Sequence, residues 1–156
     1  MSLQTVEAPR PKKRRFPDKE EKKIPLSSRV GVDIIEIGRF KGVWKRRGPK
    51  FLDRIFSKPE QDYCLSKTHP APHLAARFAA KEALLKAVGG EIRGLFRWVE
   101  ITVRREKDGP PKIELSGKAS AYFKKRGLKP TSLSLSHSRD YAVAVALVES
   151  GIRGSK

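Results

Sequence analysis

One cysteine, Cys64, is all that the 156 residues contain, which excludes an internal disulfide and leaves too few thiols for a cysteine-based zinc site. Nowhere do eighteen apolar residues run together, and the N-terminus carries no apolar stretch of the kind a secretory leader needs. Neither a membrane span nor export is therefore supported, and a cytoplasmic protein with no membrane partner is expected. Aromatic residues are few, at 8%, and no helix-turn-helix, RNA-recognition or zinc-finger pattern is present, which counts against a nucleic-acid-binding module. A Gly-x-Ser-x-Gly elbow is also missing, so Ser134, Ser136 and Ser138 read as the exposed face of a strand rather than as a hydrolase nucleophile. Internal repeats are absent.

What is present in excess is positive charge, a net +18. It is not confined to a tail: Val30 to Glu149 holds 24 basic and 13 acidic residues, a net +11. A body so basic predicts a polyanionic partner, whether phosphate, nucleic acid or an acidic protein. A basic nucleic-acid binder thus stays open as the alternative reading. With 38% apolar residues the chain can pack one core. We expect one domain over residues 29–150, a short tail over 151–156, and a mobile extension over 1–28. In that extension the run Lys12 to Arg15, the alternating charges after it and four prolines cannot offset the entropy of ordering.

The run from Arg29 to Ile37 is β-branched and reads as a buried strand interrupted by Asp33. Arg39 to Arg47 alternates Phe40, Val43 and Trp44 with Arg39, Lys41, Lys45, Arg46 and Arg47, a short basic amphipathic helix. Ser57 and Glu60 have capping-box spacing and start another. His73 to Val88 is rich in alanine and free of glycine and proline, hence a helix ending at Gly89 and Gly90. Between Leu74 and Val88 only Arg77, Lys81, Glu82 and Lys86 are polar, so this helix is expected to be packed on most sides, with Glu82 and Lys86 together on one flank. A strand from Trp98 to Val103, a turn leading into Ile113 to Ser116, and a helix of about ten residues ending near Gly127 follow. Two last strands, Thr131 to Ser136 and Tyr141 to Val148, flank a turn that begins at His137.

Two carboxylates in apolar settings, Asp33 and Glu82, with Lys86 close by, suit a magnesium-phosphate site, because Mg²⁺ takes one or two carboxylates and completes its shell with water and substrate phosphate. Equally, Asp33 could pair with Arg77, and Glu82 with Lys86 at i,i+4. His137 ends a strand at a turn, where side chains are often displayed for function, though a lone histidine there is more often a satisfied hydrogen-bonding group. His69 and His73 are four apart, but Pro70 and Pro72 argue against one helix presenting both to a zinc ion.

Four segments in order resemble the holo-acyl-carrier-protein synthase family of phosphopantetheinyl transferases. They are Gly31-Val-Asp-Ile-Ile-Glu-Ile37 with Arg39; Phe51-Leu-Asp-Arg-Ile-Phe-Ser-Lys-Pro-Glu60; Leu74-Ala-Ala-Arg-Phe-Ala-Ala-Lys-Glu-Ala-Leu-Leu-Lys86; and Leu133-Ser-Leu-Ser-His-Ser138 with Tyr141-Ala-Val-Ala144. The resemblance spans about Val30 to Glu149. It implies an α+β fold, a small mostly antiparallel sheet packed with helices, in a homotrimer whose sites lie between subunits. It implies transfer of phosphopantetheine from coenzyme A to a serine of an apo acyl carrier protein, releasing adenosine 3',5'-bisphosphate and supporting fatty acid biosynthesis. By the same resemblance Asp33 and Glu82 hold Mg²⁺; Glu82, Lys86 and His137 are catalytic; and Arg77, Lys86, Pro111 and His137 bind coenzyme A. Arg39, Lys45, Arg46 and Arg47 would dock the acidic carrier, and the base that deprotonates its serine could be Glu82, directly or through a metal-bound water. One departure stands out: the family's usual Gly-Lys-Pro turn near the adenine is Gly109-Pro110-Pro111 here, one lysine fewer for the nucleotide.

Overall fold

Alternation decides the sheet. In β1 (Ser28–Glu36) the residues at 29, 31, 33 and 35 face a helix while Val30, Val32 and Ile34 face outward, and β1 pairs antiparallel with β5 (Tyr141–Ser150) so that Asp33 lies opposite Ala144. β5 in turn pairs antiparallel with β4 (Leu128–His137), giving the order β1-β5-β4. Pro130 sits in β4, at the edge of its sheet and beside a register shift, where proline is tolerated in strands. β2 (Ile101–Arg105) and β3 (Pro111–Leu115) form a separate antiparallel pair. The computed structural model describes residues 28–89, 92, 94–106 and 109–150. The expected basic extension, with its Lys12 to Arg15 run, and the tail from residue 151 lie outside the described residues, save that β1 begins at Ser28, one residue before the expected boundary.

The helices are α1 (Ile37–Arg47), α2 (Pro49–Ile55), α3 (Lys58–Leu65), α4 (Pro70–Val88) and α5 (Gly117–Lys125). None among the described residues is long and apolar enough to cross a membrane. α4 is the axis of the fold. Thirteen of its nineteen residues are buried, among them Ala76, Ala79, Ala80, Ala83 and Ala87. Opposite them the inward face of β5 presents Ala142, Ala144, Ala146 and Val148, all fully buried. Methyl against methyl brings helix and sheet unusually close, and Gly31 shows how close: a Cβ there would meet the carbonyl oxygen of Ala83 and stand 2.6 Å from the backbone nitrogen of Ala87. Larger side chains complete two cores. One joins the later half of α4 to the sheet, β2 and α5 through Leu84, Ile101, Val103 and Phe123. The other joins its first half to α1, α2 and α3 through Phe40, Leu52, Phe56 and Leu74.

Four expectations need correction. The strand expected to be buried from Arg29 to Ile37 exposes Val30, Val32 and Ile34 on its outer face and ends at Glu36, with Ile37 opening α1. α4 begins at Pro70, not His73, because prolines in a first turn lack only N–H groups that would have no helical partner. Pro70 and Pro72 therefore open this helix, with His69 as its N-cap and His73 inside it. The strand expected from Trp98 begins at Ile101, and Trp98–Glu100 is a 3₁₀ turn. Its groups are engaged elsewhere: the Trp98 carbonyl accepts from Lys81, the Glu100 carbonyl accepts from Ser116 N–H at 2.9 Å, and the Glu100 carboxylate accepts from Ala119 N–H at 2.9 Å at the start of α5. Finally, β4 and β5 run longer than expected, to His137 and Ser150.

Candidate active site

β1 and α4 bring the first pair of site residues together. Lys86 Nζ lies 2.7 Å from Asp33 Oδ1, and Asp33 is only 11% exposed at its side chain against 47% for Lys86. Asp33 therefore pairs with Lys86 and not with Arg77. Its second oxygen, Oδ2, is buried and has no hydrogen-bond partner among the described residues. A buried carboxylate oxygen left without a donor is costly, and a ligand cation is a natural way to satisfy it. Glu82 lies one helical turn before Lys86 on the same flank of α4 and borders a cavity of ≈ 250 Å³ whose walls include Leu85, Ile92, Phe96, Trp98 and Ile101.

The other half of α4 carries a second concentration of charge. Arg77, His73 and His137 meet Arg105, Pro110 and Pro111 around a pocket of ≈ 480 Å³. Arg77 is 5% exposed; its guanidinium lies 4.3 Å from the centroid of the Tyr63 ring, and its Nε has no partner among the described residues. The rings of His73 and His137 stand edge to face with centroids 5.4 Å apart. Burial, then the neighbouring His137, Arg77 and Lys67, hold the His73 imidazole below its ordinary pKa. The turn after His137 is fixed by Ser138 N–H donating to the Tyr141 carbonyl, and the Asp140 carbonyl accepts from Ile37 N–H at 2.8 Å, which ties this corner to the start of α1.

From Ile37, α1 buries Ile37 and Phe40 and exposes Arg39, Lys41, Lys45, Arg46 and Arg47. Its last three residues are all basic, where the helix dipole favours them.

The charge whose role sequence reasoning missed is Lys81, beside Glu82. It is fully buried, and its Nζ donates to the Ile55 carbonyl at 2.7 Å, Glu60 Oε2 at 2.8 Å and the Trp98 carbonyl at 3.1 Å. Glu60 completes its own set from Ser57 N–H at 2.8 Å, the Ser57 hydroxyl at 3.0 Å and Val103 N–H at 3.0 Å. The capping-box spacing did place Glu60 at the start of α3, but nothing local told that the same carboxylate anchors α4. A lysine on the apolar stripe of a helix was the available signal. His73, Tyr63 and Arg105 were likewise not singled out as pocket residues.

Comparison with known proteins gives the family. Residues 29–146 match the model of the 4'-phosphopantetheinyl transferase superfamily, and the chain belongs to that family. A holo-[acyl-carrier-protein] synthase of Caldanaerobacter subterraneus is 43% identical over 122 residues, which is 78% of this chain and 94% of that one. Among solved structures, the holo-[acyl-carrier-protein] synthase of Neisseria meningitidis superposes with a TM-score of 0.71 at 32% identity, covering 78% of this chain and 97% of its own. The corresponding synthase of Chronobacterium ammoniagenes in complex with coenzyme A gives 0.70 at 31% identity, covering 80% and 98%.

Proposed function

We propose that this chain is a holo-[acyl-carrier-protein] synthase. It transfers the 4'-phosphopantetheine moiety of coenzyme A to a serine hydroxyl of an apo acyl carrier protein and releases adenosine 3',5'-bisphosphate. The observation that carries this reading is the Asp33–Lys86 contact with a second, unpartnered carboxylate oxygen, one turn from Glu82. Asp33 and Glu82 fit a hard divalent cation, so they would hold Mg²⁺, which when bound supplies neutralisation of phosphate charge. Lys86 then serves as a cation for the phosphate oxygens of the transferred group, where charge grows as the bridging phosphorus–oxygen bond breaks. Glu82 takes the proton of the carrier's serine as its oxygen bonds to phosphorus.

The pocket of Arg77, His137 and Pro111 receives the nucleotide end of coenzyme A. It sits on the first half of α4 and the carboxylates sit at or beside the second: from Arg77 to Lys86 the helix advances about 13 Å. Sites shared between subunits of a homotrimer account for this separation, with His137 serving a neighbour's Asp33 and Glu82. A surface for such contact exists, since Val30, Val32, Ile34, Tyr141 and Val145 are all between 40% and 62% exposed on the outer side of the three-stranded sheet. The basic face of α1 docks the acidic carrier through Arg39, Lys45, Arg46 and Arg47. We place the reaction in the cytoplasm, in support of fatty acid synthesis.

Intact-mass spectrometry of an apo acyl carrier protein incubated with this chain, coenzyme A and Mg²⁺ tests the proposal. A gain of one phosphopantetheine that disappears with EDTA is expected. No gain from several carriers with a folded sample would overturn it and return attention to DNA binding.

A further inference from the structure

A groove of ≈ 600 Å³ opens where α1 meets the start of α4, and the transfer chemistry does not use it. Its floor is apolar: Ile37 and Trp44 come from α1, Pro70 and Pro72 from the first turn of α4. Its rim is cationic, with Lys41 and Lys45 on the α1 side, and no carboxylate lines it. An apolar cleft of this size with a few placed polar groups is the usual form of a small-molecule site. The ligand that fits is anionic at one end and hydrocarbon along its length. We propose that the groove binds a single-chain amphiphilic carboxylate, the chemistry of a free fatty acid, with its head group between Lys41 and Lys45 and its chain along Trp44 and the two prolines. Resting on the transferase reading, occupancy competes with the acidic carrier through Lys45 and leaves coenzyme A binding alone.

Three observations carry the assignment. Lys41 and Lys45 are exposed, four residues and about 6 Å apart along one flank of α1, and neither ammonium is in an ion pair among the described residues. Like charges at this spacing repel, and one carboxylate between them turns the repulsion into two charge-assisted contacts. Second, Trp44 is only partly covered, as are Pro70 and Pro72, so a hydrocarbon chain laid on them removes apolar surface from water. The prolines also offer no N–H to a peptide backbone, which favours a hydrocarbon occupant over an extended peptide. Third, the groove lies off the face assigned to the carrier. Arg39 and Arg46 point about 130° around α1 from the flank of Lys41 and Lys45. An acidic helix lying over Arg39 and Arg46 therefore leaves the groove open, and Lys45 is the one residue common to both.

A carboxylate with a hydrocarbon chain is also the class of compound that carrier-dependent fatty acid synthesis releases. A ligand of this class reports accumulated product to the step that activates the carrier.

The test is calorimetric titration of the full chain with decanoate, kept monomeric, and with its uncharged counterpart decanol, repeated on Lys41→Gln and on Lys118→Gln, an exposed lysine of α5. Decanoate should bind about tenfold more tightly than decanol. Lys41→Gln should remove most of that difference without affecting decanol, and Lys118→Gln should bind both as the parent does. Without decanoate, transfer by Lys41→Gln should match the parent. Saturating decanoate should raise KM for the carrier severalfold and leave KM for coenzyme A unchanged. Equal affinity for decanoate and decanol, equal losses in the two variants, or no binding of decanoate, with or without binding to phosphatidylglycerol vesicles, would overturn the site. Binding as described with KM for the carrier unmoved would overturn the competition. A chain that binds decanoate in this way but transfers nothing from coenzyme A to any carrier would overturn the transferase reading and leave the site standing.

Discussion

Lys86 and Asp33 are 53 positions apart in the chain and 2.7 Å apart in space, and their contact joins the last turns of α4 to the middle of β1. Because only one oxygen of Asp33 is engaged, Asp33→Asn should keep the fold while losing the charge that a cation would meet. Transfer is expected to fall on the order of a hundredfold or more, with the thermal midpoint little changed. A variant that transferred at the parent rate would remove Asp33 from the proposed site.

Lys81 and Glu60 are a different kind of pair, buried completely and fully hydrogen-bonded. Replacing Lys81 with Met leaves a carboxylate uncompensated in the interior, and the expected loss is about 3–5 kcal/mol in urea unfolding. Loss of less than about 1 kcal/mol would mean that the carboxylate accepts a proton cheaply in its place.

The outer face of the sheet supplies the test of assembly. Val30→Glu with Val145→Glu places charge on exposed positions, so the isolated fold should survive, whereas a homotrimer buried on that face should dissociate and lose transfer activity. Sedimentation velocity reads the first effect and the mass assay the second. A double variant that sediments and transfers as the parent does would exclude this face as the interface.

Charge reversal on α1 addresses the carrier. Arg46→Glu and Arg47→Glu, both on exposed positions, should each lower kcat/KM for the carrier by about tenfold at low salt, and the difference from the parent should shrink as salt rises. KM for coenzyme A should stay put, because these side chains lie on the outer face of α1. An equal effect at high and low salt would indicate damage to α1 rather than loss of steering.

Much of this could be read from residue patterns. The β-branched run around Asp33 and the alanine-rich run gave the two elements that meet at the site, though not the exposure of the outer face of β1, and the basic face of α1 followed from Arg39 to Arg47. What escaped was set by distant partners. The 3₁₀ turn at Trp98 exists because Lys81 and Ala119 draw on its acceptors, which the local alternation of Trp98 to Val103 does not reveal. α2, seven residues opened by Pro49, is too short for periodicity to declare it. Charge and spacing offered Arg77 as the partner of Asp33 and Lys86 as that of Glu82, whereas the approach of β1 to α4 at Gly31 pairs Asp33 with Lys86. His73 was set aside as half of a zinc pair with His69, and nothing local indicated that the helix turns it toward His137 on β4.

The methyl-on-methyl packing of α4 against β5 has one more effect. Alanine has no rotamers, so the interface between these elements cannot be repacked by rotating side chains, and no alternative register of slightly different spacing is available at low cost. β1, which carries Asp33, is paired along its length with β5 and itself touches α4 at Gly31, so the separation of the two backbones that hold Asp33 and Lys86 carries little configurational freedom of its own. Whatever adjustment substrate binding requires must come from the lysine stem and from the neighbouring loops, while the distance between the two chains behaves as a fixed gauge.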